Sequence, residues 1–119
     1  MTVEKVAWIV GVGLGSMFES EAVWAEKIMG KTRVKRICHA RNLVALALYE
    51  ELNVSYNEIA YTLNRRHESV IARGIQQARK WVAENEAAWK RIKKAIRDTT
   101  NAEIQHHSTQ NNIKVGLSD

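Results

Sequence analysis

Residues 40–70, ARNLVALALYEELNVSYNEIAYTLNRRHESV, constrain the fold more than any other stretch of the chain. From Asn42 to Leu52 the pattern is apolar nearly all round: Leu43, Val44, Ala45, Leu46, Ala47, Leu48, Tyr49. A helix with no polar face is stable only when surrounded, so this segment is predicted to be the central core helix. Ser55-Tyr56-Asn57-Glu58 then matches a capping box, in which a Ser hydroxyl and a Glu three residues on satisfy the first amides of a new helix. That short helix buries Ile59 and Leu63, and Ala60 is small where two helices must approach closely. A basic turn follows, Asn64-Arg65-Arg66-His67, and a second helical pattern begins at Ser69-Val70. In it Val70, Gly74, Ile75, Ala78 and Val82 form one stripe, with Ser69, Arg73, Gln76 and Lys80 on another face. Two helices joined by a short turn, the second opening on basic residues, are the layout of a helix-turn-helix. The second helix of that motif is shaped to enter the DNA major groove. The expectation is an all-α fold that binds double-stranded DNA.

The flanks extend the helical pattern, and no proline interrupts it. Thr2 is placed to cap a helix containing Val3, Val6, Ala7 and Val10. Gly11, Gly13 and Gly15 read as a flexible turn after it. Ser20-Glu21 starts a second helix with Ala22, Val23, Ala25 and Ile28, ending near Gly30. Residues 31–41, KTRVKRICHAR, hold five Lys or Arg and no acid, and read as a basic loop running into the core helix. Trp89, Ile92 and Ile96 continue the helical pattern, and Lys90, Arg91, Lys93, Lys94 and Arg97 around them read either as an extension of the DNA surface or as an ordinary solvated face. Residues 99–119 are polar and lack periodicity, which predicts a disordered tail. The organisation is thus a helical segment over 1–30 packing on a helix-turn-helix core over 31–98, then the tail, with five or six helices in all.

Charge sharpens the expectation. Residues 31–97 carry 15 of the 18 Lys and Arg against six Glu, a net of +9, whereas residues 1–30 and 98–119 each carry −2. A basic middle between acidic ends is the footprint of a polyanion-binding surface. Cys38 is the single cysteine, which excludes a disulfide framework and points to a reducing compartment. The apolar run near the start lacks a basic leader and is too short to span a bilayer. The expected location is cytoplasmic, associated with the nucleoid, with no membrane partner.

The candidate DNA-contacting residues fall into two groups. Arg65, Arg66, His67, Ser69 and Arg73 are placed to read bases, because arginine can bond guanine O6 and N7 bidentately. Glu68 can accept from cytosine N4 or complement the helix N-terminus. Lys31, Arg33, Lys35, Arg36 and Arg41 are placed to neutralise phosphates, which supplies affinity without sequence information. Ser55, at the start of the first helix of the motif, joins the DNA-contacting set. Enzymatic motifs fail one by one. Gly30-Lys31-Thr32 has Ala25 where a phosphate loop needs glycine, and Gly11-Val12-Gly13-Leu14-Gly15-Ser16 breaks the dinucleotide fingerprint at Ser16. Cys38-His39 lacks a third partner, and His106-His107 has no further metal ligands at useful spacing. No cofactor, metal or catalytic residue is expected.

Residues 31–80 resemble the C-terminal DNA-binding domain (domain IV) of the bacterial replication initiator DnaA. The resemblance rests on the basic segment Lys31 to Arg36, on Ala40-Arg41-Asn42 before the apolar helix, on Ser55-Tyr56-Asn57-Glu58-Ile59-Ala60, and on Asn64-Arg65-Arg66-His67-Glu68-Ser69-Val70. It implies a Trp-repressor-like helical fold and binding of double-stranded DNA, with a role in replication or transcription. Arg66 and Glu68 stand where the family has Asp and Thr, so the family's own target sequence is not implied. The segment SYNEIAYTL also resembles the promoter-reading motif of sigma factors.

An alternative from another class is a protein-interaction module. There the acidic segment 1–30, with Trp8, Phe18 and Trp24, would dock a replication or transcription protein or a second copy of the chain. A chain encoded by a phage or mobile element fits either reading.

Overall fold

A computed structural model describes the backbone of residues 1–16 and 20–118 and the side chains of residues 1–16 and 20–104. Among these residues the chain is all-helical, with six helices in the order α1 (Val3–Gly13), α2 (Glu21–Met29), α3 (Lys35–Leu52), α4 (Tyr56–Thr62), α5 (Glu68–Glu84) and α6 (Glu86–Ser118).

The organising element is α3. Its six consecutive residues Leu43 to Leu48 are all buried, as a helix without a polar face requires. It packs against each of the other five helices. Around it, Val6 and Val10 of α1, Trp24 and Ile28 of α2, Ile59 of α4, Ile71 and Ile75 of α5, and Trp89, Ile92 and Ile96 of α6 complete one core.

The helix starts follow local chemistry. The hydroxyl of Thr2 accepts from the Lys5 amide, that of Ser20 from Val23, and that of Ser55 from Glu58. Each satisfies one of the donors that a first helical turn leaves unpaired. The ends of α3 and α4 are closed by asparagine. Asn53 and Asn64 take the left-handed conformation, with φ of 55° and 57°, a region asparagine enters more readily than most residues. At Asn64 the amides of Asn64 and Arg65 turn back to the carbonyls of Tyr61 and Ala60, a Schellman closure that fixes the direction in which the chain leaves α4.

Two expectations are corrected here. The glycine-rich run is not a turn as a whole: α1 continues through Gly11 and Gly13, and only Gly15, at φ +73°, makes the reversal. Gly11 faces the indole of Trp24, whose Nε1–H donates to the Ala7 carbonyl at 2.6 Å. In α5 the buried stripe is Ile71, Gly74, Ile75 and Ala78, whereas Val70 is exposed. The 3.6-residue period fits either Val70 or Ile71, and the core took the larger side chain. The last helix, α6, runs on through residues 99–118. Its first added turn is tied down by Thr99 and Thr100 hydroxyls, which donate to the carbonyls of Ala95 and Ile96. Among the described residues, no helix is long and apolar enough to cross a membrane.

A Cβ at Gly11 would lie 2.7 Å from Trp24 Nε1 and 2.8 Å from Cε2. The ring is held by its own hydrogen bond and cannot swing aside. Removing a mid-helix glycine gains roughly 1 kcal/mol of helix propensity, but overpacking a core typically costs about 1–3 kcal/mol. Gly11→Ala is therefore expected to lower the urea midpoint of unfolding rather than raise it.

Candidate nucleic-acid interface

Two arginines that the sequence assigns to DNA turn inward. Arg41 is only 8% exposed. Its Nε donates to the Ile28 carbonyl at 2.6 Å, and its Nη2 donates to the carbonyls of Lys27 at 3.3 Å and Gly30 at 3.1 Å. Its Nη1 reaches the Thr32 carbonyl at 3.3 Å. The end of α2 thus finds donors for carbonyls that no further turn of helix satisfies, and a cation is favoured at that negative end of the helix dipole. Arg41 as a phosphate contact is accordingly corrected: its guanidinium is consumed inside the protein. Arg65, half-buried, follows the same logic. Its Nε donates to the Leu63 carbonyl at 3.0 Å, and its Nη2 donates to the Gly30 carbonyl, 35 residues earlier in the chain. Burial, and next the neighbouring Arg41 charge, push the Arg65 pKa down. Arg65 is thus engaged as a clasp on Gly30, while part of its side chain lines the groove beside Val70.

The consequence is spatial. Arg41 from α3 and Arg65 from the turn before α5 both hold Gly30, the residue that precedes the basic segment. Lys31, Arg33, Lys35 and Arg36 leave that point exposed and run into the first turn of α3, which lies against α5. Two adjoining grooves line the α3–α5 seam. One, of about 270 Å³, has Val70, Arg73 and Gln77 of α5 along it, with Cys38, Arg41 and Asn42 of α3 and Arg65 of the preceding turn. The next, of about 390 Å³, carries Lys35, His39, Gln77, Lys80 and Trp81. The second groove also has Glu84 in its lining. The seam is tight at Gly74, where a Cβ would meet Asn42 Oδ1 at 2.5 Å. His39 packs edge-on against Trp81 with ring centroids 5.2 Å apart, and burial lowers its pKa.

Arg66, His67, Glu68, Ser69 and Arg73 are all exposed at the start of α5. His67 is the N-cap residue, but its side chain makes no capping bond, and Glu68 stands in the first turn, where a negative charge complements the helix dipole. Ser55 is exposed but stands apart. It opens α4, and its hydroxyl is engaged as the cap, roughly 10 Å of helix away from the turn that leads to α5. Along the seam Arg73 lines the first groove and Lys35 and Lys80 line the second. Lys31, Arg33 and Arg36 adjoin Lys35 in the chain, and Arg66 to Ser69 precede Val70, without lining either groove. Sequence reading passed over three residues of this surface as contacts: Val70, Gln77 and Lys80. The i, i+3, i+7 spacing of Arg73, Gln76 and Lys80 was the available signal for the last of these.

Trp24 is fully buried and Trp8 half-buried, while Phe18 lies outside the described residues. His106 and His107 also lie outside the described side chains. Among the described residues no group of three or more His, Cys, Asp or Glu is arranged to hold a metal. The α6 cations split: Arg97 pairs with Glu51 of α3 at 2.9 Å, and Lys90, Arg91 and Lys94 are exposed. Comparison with protein-family models, with curated proteins and with solved structures finds no match.

Arg41→Met would leave the buried Ile28 carbonyl without its side-chain donor and take one donor each from the carbonyls of Lys27, Gly30 and Thr32, which keep Gly30 N–H, Arg65 and Cys38. An acceptor truly orphaned costs about 1–3 kcal/mol. Arg41→Lys is expected to recover little of this, since one ammonium cannot span acceptors that a planar guanidinium reaches together. Thermal unfolding of both variants, each well below the parent in Tm, is the check; a full rescue by lysine would contradict the clasp.

Proposed function

We propose that the chain is a double-stranded DNA-binding protein of the helix-turn-helix type, with α4 and α5 as its two motif helices and α5 as the helix that enters the major groove. Its role would be regulation of transcription or replication, and the resemblance of residues 31–80 to the Trp-repressor-like domain of DnaA belongs to this proposal. The observation that carries the reading is the row of exposed cations on the α3–α5 seam, Arg73 in one groove and Lys35 and Lys80 in the next, with the exposed residues Arg66 to Ser69 at the start of α5. A recognition helix needs such an arrangement, with base-reading side chains at its N-terminal end and phosphate-binding cations beside it.

On this reading Arg66, His67, Glu68, Ser69 and Arg73 face base edges, and Lys31, Arg33, Lys35, Arg36 and Lys80 hold the backbone. A cytoplasmic, nucleoid-associated location follows from the partner. A homodimer or a protein partner contacting residues 1–30 is compatible with it, since the acidic side chains Glu4 and Glu26 border a shallow groove there and lie off the basic seam.

The two groups of residues are separable by experiment. Lys35→Ala is expected to weaken binding to all duplexes alike and to reduce the slope of log K against log salt by about one. Arg66→Ala is expected to relax preference at one base position by about 1–3 kcal/mol. Equal loss on every sequence for Arg66→Ala, with an unchanged salt slope for Lys35→Ala, would contradict the assignment.

A further inference from the structure

Val70 is the one residue of the α5 stripe that the fold leaves outside. It is 48% exposed, while Ile71 beside it is 3% exposed and fills the core. An exposed valine needs no explanation in most places, because scattered apolar residues are normal on protein surfaces. This one sits in a particular neighbourhood. It lies on the first turn of α5, one residue after Ser69 and one helical turn before Arg73, with Arg66 in the turn that leads into the helix. It forms part of the groove wall that Arg73 and Gln77 share. Its neighbours on the exposed face can all donate or accept hydrogen bonds; Val70 can do neither. A partner that satisfies the guanidinium groups and also meets this valine must present negative charge and an apolar group a few ångströms apart. Duplex DNA presents that pair in its major groove, where the C5-methyl of thymine is the apolar feature of an otherwise polar code.

Resting on the DNA-binding reading above, we infer that Val70 is a specificity-determining residue that reads a thymine methyl. Its branched Cβ keeps the side chain in one rotamer on a helix, so the apolar contact is preorganised. The valine contributes recognition only where a methyl faces it. Arg73, one helical turn on, and Arg66, in the turn before the helix, supply hydrogen bonds to neighbouring base pairs or phosphates.

The test replaces each thymine of the preferred duplex, one at a time, by uracil. The replacement removes only the C5-methyl and leaves base pairing intact. The parent protein is expected to bind about fourfold more weakly at one such position, the factor that burial of one methyl-sized group supplies. Val70→Ala, whose fold is checked by circular dichroism, is expected to bind thymine and uracil equally at that position. Responses at other positions should not change. The same uracil profile for parent and variant would overturn the inference. So would a parent that selects a motif yet responds to no uracil, or that binds duplex without selecting any motif; in each case the DNA reading survives. A parent with no duplex affinity at all overturns both.

Discussion

Two guanidinium groups meeting at the end of α2 hold the arrangement together. Helices end with carbonyls that have no partner, and a buried carbonyl without a donor costs about 1–3 kcal/mol. Gly30 closes α2 in an extended conformation, so the chain itself offers little to those oxygens. Arg41 supplies the donors from the middle of the core helix, and Arg65 adds one from the turn between α4 and α5. Two like charges so close are tolerable because each faces oxygen dipoles, though their repulsion and burial are visible in the lowered Arg65 pKa. Three distant parts of the sequence are thereby tied at one residue. The basic segment that follows Gly30 leaves from this clasp.

This places a structural duty on residues whose type suggests ligand binding. An arginine in a basic stretch is most simply read as a phosphate contact, and nothing local distinguishes Arg41 from Arg36. The distinction is in the partners, carbonyls 9 to 14 residues earlier in the chain, which only the packing of α2 on α3 brings within reach. The same limit explains Gly11. Glycines in series suggest a turn, and one of them is a turn. The other two are flat spots where helices pack closely, and that use depends on Trp24 and Ile92 arriving from other helices.

What could be read locally was read correctly. The apolar run of α3 has one physical solution, burial, and the fold adopts it. Thr2, Ser20 and Ser55 sit at helix starts because a side-chain oxygen there satisfies amides within three residues, a contact that needs no tertiary structure. The face of α5 was legible to within one residue. Val70 and Ile71 both satisfy the helical period relative to Gly74, Ile75 and Ala78, and the choice between them is made by the fit against α3. Of the expected site, the exposed start of α5 and the segment 31–36 stand as surface cations and polar groups, whereas Arg41 and Arg65 became scaffold.

The most direct test of the proposed interface is a titration of the isotope-labelled full chain with a duplex DNA, followed by backbone amide NMR at near-physiological salt. The proposal predicts that shifts concentrate in residues 31–36 and 66–80. The apolar surface around Val3, Leu52, Val54 and Tyr61 on the outer side of α4, and the acidic α1–α2 surface, should stay unchanged. Shifts confined to α1, α2 or the outer side of α4, or none at all in the presence of excess duplex, would contradict it.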